Sequence, residues 1–197
     1  MIDIIAELDA IRRRVHAPGD DLAVRLERRY PSDVEDVWDA LTDPERIARW
    51  FLPVSGDLRV GGHFTTEGNA DGEIRVCDRP SRLVLTWGGP DSVVTLDLAP
   101  DGDATVLTLE HAVPLAFVPD GSGALYVGPG WDGALLGLGA HVSGTTIGDP
   151  DSPEMLEFNG GSIPRWETAV RESGLATEEQ IAASVVAATA QYTVVPS

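Results

Sequence analysis

Tyr30-Pro31-Ser32-Asp33-Val34-Glu35-Asp36-Val37-Trp38-Asp39-Ala40-Leu41-Thr42-Asp43-Pro44-Glu45-Arg46-Ile47-Ala48-Arg49-Trp50-Phe51-Leu52-Pro53 is the stretch on which the fold turns. Ser32-Asp33-Val34-Glu35 reads as a capping box, in which the Ser32 hydroxyl takes a backbone N–H and Glu35 reaches back to the cap. Val34, Val37, Trp38 and Leu41 follow at helical spacing. Thr42-Asp43-Pro44-Glu45 opens a second short helix through Ile47 and Trp50, with Pro44 in the first turn, where its missing N–H costs nothing. Two short helices are therefore expected back to back.

Upstream, Leu22, Val24 and Leu26 alternate with Ala23, Arg25 and Glu27, which predicts a half-buried strand ending at Tyr30-Pro31. Ahead of it, Ile4, Leu8, Ile11 and Val15 stand at spacings that predict one amphipathic helix, stopped by His16-Ala17-Pro18-Gly19-Asp20. Downstream, from Val54 to Val113, the text is strand and turn. The runs Ser55 to Leu58, His63 to Thr66, Gly72 to Cys77, Arg82 to Trp87, Ser92 to Leu98 and Thr105 to Val113 are cut by Gly-, Pro- and Asp-rich turns. Such close spacing implies an antiparallel meander, and with the first strand it predicts a seven-stranded sheet. Val94, Leu96 and Leu98 oppose Val93, Thr95 and Asp97, as Leu107, Leu109 and His111 oppose Val106, Thr108 and Glu110, so one face is core or cavity. Cys77, the lone cysteine, reads as a core position of its strand.

A Gly/Pro-rich connection, Pro114 to Gly130, leads to a long helix from Trp131 to Val142 with Trp131, Leu135, Leu138 and Val142 on one face. Its glycines suggest the close approach of another backbone. After an acidic loop, one helix is expected from Pro164 to Glu172. Another is opened by a capping box at Thr177-Glu178-Glu179-Gln180 and continues to about Tyr192.

The chain has 197 residues, 32 Asp and Glu against 14 Lys and Arg, every cation an arginine, and a formal charge of −18. That balance argues against nucleic acid or an anionic membrane surface, which demand clustered cations. The acids read instead as a solvated surface. No stretch reaches the ~18 apolar residues of a spanning helix. Met1-Ile2-Asp3-Ile4 carries acid where a signal peptide carries cations, so a cytoplasmic location is expected.

Beyond the order of elements, the wording from Tyr30-Pro31 through Trp50-Phe51-Leu52-Pro53 resembles the opening of the domain family named after the activator of Hsp90 ATPase, within the START/Bet v 1-like (SRPBCC) superfamily. Gly61-Gly62-x-Phe64, Leu83-x-Leu85-Thr86-Trp87, Leu107-Thr108-Leu109-Glu110-His111 and Gly130-Trp131-Asp132 extend the resemblance. It implies an α+β helix-grip fold, a curved antiparallel sheet wrapped around the long helix. The parts are then an N-terminal helix over 1–19, the helix-grip domain over 20–145, and an acidic loop with helical extension over 146–197. Such extensions resemble those of bacterial members of the group.

The resemblance also implies a cavity between sheet and helix, of the mostly apolar kind that holds small ligands. Trp50, Phe51, Phe64, Trp87, His111, Trp131, Leu135 and Leu138 are the candidate lining residues. Each could equally be plain core, but as a set the aromatics exceed what the sheet needs, and they point to a small apolar or aromatic ligand. Relatives in the superfamily include polyketide cyclases and dehydratases. In such an enzyme His111 would be the acid–base group, with Glu110 or Asp132 near the mouth. The family name also raises contact with Hsp90, although the extra Hsp90-binding domain of the eukaryotic namesake is not recognisable. No cofactor is called for. Gly61-Gly62 and Gly88-Gly89 do not open helices as phosphate loops do, and the histidines lack metal-ligand spacing. The apolar faces of the terminal helices require burial either on the domain or across a homodimer interface.

Overall fold

The computed structural model describes residues 3–194, so the parts of the terminal readings that fall on Met1, Ile2 and residues 195–197 lie outside the described residues. The elements are α1 (Ile4–Asp9), β1 (Ile11–His16), β2 (Asp21–Tyr30), α2 (Val34–Thr42), α3 (Pro44–Ile47), β3 (Val54–Gly56), β4 (His63–Thr66), β5 (Asp71–Asp78), β6 (Arg82–Thr86), β7 (Val93–Asp101) and β8 (Ala104–Pro114). A 3-10 turn (Gly121–Gly123) leads to α4 (Ala124–Val142), α5 (Pro153–Ser173) and α6 (Glu178–Tyr192). The strands hydrogen-bond in the order β1-β2-β8-β7-β6-β5-β4-β3. The fold is α+β helix-grip, with eight strands rather than the seven counted from sequence.

The added strand is β1, where the sequence predicts a helix running on to Val15. The helix stops at Asp9, and Ile11 and Val15 are buried at alternate positions of a strand. The residue between them on that inward face is Arg13, whose side chain is 6% exposed. A charged residue inside hides the period-2 pattern, leaving apolar spacings that match a helix equally well.

Contacts divide the chain into two units. The first takes in the described residues up to Leu26, Pro114–Leu136, and those from Ile147 on; the second takes in Glu27–Val113 and Gly137–Thr146.

In the first unit Leu8, Leu136, Met155 and Phe158 form a buried cluster, with Ile4 and Ile147 against it. Beside α4 runs a polar counterpart. Asp132, with no solvent exposure, accepts from Arg13 Nε (2.9 Å to Oδ2, 3.1 Å to Oδ1), Ser162 Oγ (2.6 Å) and Trp166 Nε1 (3.0 Å). Helix α4 starts at Ala124, seven residues before the expected Trp131, and carries Pro129 inside it. Proline removes a backbone donor and crowds the preceding turn. At this point the Tyr192 hydroxyl enters the ladder, donating to the Tyr126 carbonyl at 2.6 Å and hydrogen-bonded by the Gly130 backbone. A side chain inserted in this way is one of the recognised causes of a helix irregularity. Helix α5 likewise starts at Ser152-Pro153, not at Pro164, which lies mid-helix while Arg165 Nη1 donates to the Gly161 carbonyl one turn back. The capping box at Thr177 and Gln180 forms as expected.

The approach that the glycines of α4 permit is by side chains rather than by backbone. A Cβ on Gly128 would stand 2.3 Å from the Trp166 ring, and one on Gly139, in the second unit, 2.7 Å from the Arg28 guanidinium.

In the second unit the alternation of β7 and β8 holds. Val94 pairs with His111, Leu96 with Leu109 and Leu98 with Leu107, on the buried face. Cys77 is exposed, not core; it lies one residue from the end of β5, beyond a register shift between Ile74 and Val76. Pro44 occupies the first turn of α3 behind Asp43, as expected. Helix α2 is capped one residue later than expected: Asp33 accepts from the Asp36 N–H at 2.9 Å, and the Ser32 hydroxyl donates instead to the Asp36 carboxylate. Asp33→Ala should therefore cost about 1 kcal/mol in urea unfolding and exceed the effect of Ser32→Ala. The reverse order would restore Ser32 as the cap.

Candidate functional site

Helix α3 is a single turn, and the chain leaving it stays coiled through hydrogen bonds from the Trp50 and Phe51 N–H groups to the Ile47 carbonyl. Two adjacent aromatics are thereby set side by side, and Trp50 is fixed by its indole N–H on the Ala40 carbonyl at 3.0 Å. Trp50 and Phe51 have ring centroids 5.6 Å apart, Phe51 and Trp87 6.2 Å, and Trp87 and Phe64 6.1 Å. These tilted contacts lie within the range of favourable aromatic pairs. Phe64 is supplied by β4, opposite Gly72 of β5, and Trp87 by the chain just beyond β6. Phe64 is buried, at 4% exposed, whereas Trp50, Phe51 and Trp87 are only half-buried.

The row continues into a polar pair. The Trp87 N–H donates to the Ser92 carbonyl, closing the hairpin between β6 and β7, and the Ser92 hydroxyl lies 2.8 Å from His111 Nε2. His111 is 8% exposed on the buried side of β8. Burial pushes its pKa down to about 4, so the imidazole is neutral at neutral pH. A neutral imidazole hydrogen-bonded to a hydroxyl can accept or donate a proton, and it can orient a polar group on a molecule lying along the rings.

Five of the eight residues singled out from the sequence, namely Trp50, Phe51, Phe64, Trp87 and His111, thus join through ring contacts and Ser92 in the second unit. Leu138 is fully buried in that unit. Leu135, at 2% exposed, and the half-buried Trp131 belong to the first unit. Ser92 is absent from the sequence reading, where it is only the first residue of a strand. The register that sets Trp87 against Ser92 and Val94 against His111 is what brings it to the imidazole. Asp132 does not stand near a mouth as a partner for His111: it is fully buried and engaged by Arg13, Ser162 and Trp166. Burial pushes its carboxyl pKa up, against the opposing pull of Arg13 and the other donors. Among the described residues, no group of three or more His, Cys, Asp or Glu is placed to hold a metal ion, and no helix is long and apolar enough to cross a membrane.

The family described as activator of Hsp90 ATPase homolog 1-like protein matches residues 31–143. Among solved structures, CalU16 from Micromonospora echinospora is 38% identical with a TM-score of 0.68, covering 82% of this chain and 99% of that one. That span exceeds the family match, so flanking segments share in the similarity. DynU16, described as a protein in the dynemicin biosynthetic locus, is 28% identical with a TM-score of 0.57 over 64% of this chain and 48% of that one. A protein of unknown function from Enterococcus faecalis, 16% identical with a TM-score of 0.62 over 84% of this chain and 95% of that one, shares the fold. No curated protein matches.

The depressed His111 pKa has a pH signature. Between the ordinary value of 6.5 and about 4, the unfolded chain takes a proton that the folded one refuses. The stability tied to a neutral His111 is therefore fully present above pH 6.5 and is lost as the pH falls toward 4, by up to about 3 kcal/mol. Urea unfolding at stepped pH should show this slope in the wild type and a flatter one in His111→Leu. An unchanged slope would mean that His111 titrates normally.

Proposed function

Because the chain belongs to the activator of Hsp90 ATPase homolog 1-like family, we propose that its second unit binds a small apolar or aromatic ligand along Trp50, Phe51, Trp87 and Phe64, with His111 and Ser92 orienting a polar group of that ligand. The observation that carries this reading is the row of half-buried rings ending in a buried, neutral imidazole. Folding alone favours complete burial of such rings, at roughly 25 cal/mol for each Å² of apolar surface removed from water. Leaving three of them partly exposed, in mutual contact and beside a single polar pair, is the usual composition of a small-molecule site. The DynU16 description, which places that relative in a biosynthetic locus, supports a small molecule over contact with Hsp90.

A second reading, an acid–base catalyst of the cyclase or dehydratase kind, is favoured by the Ser92–His111 hydrogen bond. A neutral imidazole fixed by a hydroxyl is prepared to accept a proton from a bound carbonyl compound. The two readings part at His111→Gln, which keeps most of the binding under the first and removes turnover under the second.

Titration with 2-naphthol, a planar ring bearing one hydroxyl, should quench tryptophan emission saturably. Trp87→Ala should weaken the binding about tenfold, the loss of one buried aromatic contact. Quenching that does not saturate, or that is equal in Trp87→Ala, would contradict an aromatic site here.

A further inference from the structure

Trp50 and Phe51, which begin the aromatic row, hang from α3, a helix of a single turn. So short a helix has little hold of its own, and its position is set by what grips it. Two contacts one turn apart tie this stretch to α2. Arg46 Nη1 meets the Asp36 carboxylate at 2.9 Å and the Asp36 carbonyl at 3.1 Å, and the Trp50 indole N–H meets the Ala40 carbonyl. A third grip comes from the end of α4, where Arg46 Nε donates to His141 Nε2 at 3.2 Å. All of these residues belong to the second unit.

The Arg46–His141 bond depends on the proton count of the imidazole. A guanidinium N–H can only donate, so Nε2 of His141 must carry its lone pair and the ring must be neutral. A proton on Nε2 removes the acceptor and sets two cations at hydrogen-bond distance. Burial, then Arg46 and Arg49 from α3 and the turn behind it, lower the His141 pKa from 6.5, against the pull of Asp36 on α2. Arg28 of β2 lies against Gly139, two positions back and so on the opposite side of α4. Asp36 stays ionised while His141 titrates: burial alone would raise its pKa, but hydrogen bonds from Ser32 and Arg46 hold it below the ordinary 3.8. A charged His141 therefore also competes with Arg46 for that carboxylate.

We infer that His141 is a proton-operated latch on the ligand site: neutral, it holds Arg46 and so keeps Trp50 and Phe51 in the row; protonated, it lets them go and the ligand with them. The inference rests on the aromatic row being a binding site, and it makes Arg46 a positioning residue for Trp50 and Phe51.

The test uses 2-naphthol, which stays un-ionised throughout, and tryptophan quenching of the full chain. Between pH ~8 and ~5, a range that stops above the His111 value of about 4, the affinity should fall at least about threefold, the loss of one hydrogen bond. His141→Gln, whose side-chain carbonyl still accepts from Arg46 but takes no proton, should bind like the wild type at the upper pH and keep that affinity at the lower. In ¹⁵N-labelled protein without ligand, the Trp50 indole resonance should move with the His141 ring titration in the wild type and stay in place in His141→Gln. No saturable quenching at the upper pH would overturn the aromatic site and the latch with it. Saturable quenching that is equally strong at the lower pH, or a fall that persists in His141→Gln, would overturn the latch alone.

Discussion

Asp132 accepts four hydrogen-bond contacts from three side chains in a place closed to solvent, and those side chains come from β1 and α5 while the carboxylate itself is on α4. An ionised carboxylate so deep is tolerated only when each of its oxygens is bonded and a countercharge is near. The requirement runs outward through the first unit. Arg13 must face inward, which turns Ile11–His16 into a strand. Trp166 must bring its indole N–H to the carboxylate, which places its ring on Gly128, where any Cβ would collide. Ser162 must sit on the same side of α5 as Trp166. Hydrophobic burial around Leu8, Leu136, Met155 and Phe158 supplies attraction without direction, whereas the carboxylate supplies the register.

The second unit obeys a different constraint. Its sheet is an alternating meander in which β7 and β8 bury one face, and the departures from that rule fall at the proposed site. A histidine takes a position where leucine precedes it at Leu107 and Leu109, and three large rings remain partly exposed. The turn after α3 and the hairpin joining β6 to β7 are the local devices that hold these groups together. Each is short, and each is tied by backbone hydrogen bonds that pass beside a site residue.

These two behaviours explain what the sequence discloses. Period-2 alternation, Pro44 behind Asp43, and the Thr177 capping box are local signals, and the structure realises each of them. The family motifs from Tyr30 to Trp131 are also local, and they carry the fold class and five residues of the proposed aromatic site. What stays hidden depends on partners far along the chain. Arg13 looks solvated until Asp132 is placed beside it. Pro129 reads as part of a connection and Pro164 as a helix start, whereas both lie inside helices, and the Tyr192 hydroxyl that enters the ladder beside Pro129 gives no sign in the neighbouring sequence. Ser92 meets His111 only through the strand register, and Cys77 falls on the alternate face of β5 that also exposes Asp71 and Arg75.

The most direct measurement of this account is a double-mutant cycle on the buried pair, using Arg13→Met and Asp132→Leu and reading stability from urea unfolding. If the pair organises the first unit, each single substitution strands a buried charge and should lose about 3–5 kcal/mol, while the double substitution should lose at least about 2 kcal/mol less than their sum. Additive losses would contradict the account, because they would mean that β1, α4 and α5 are held by apolar packing alone.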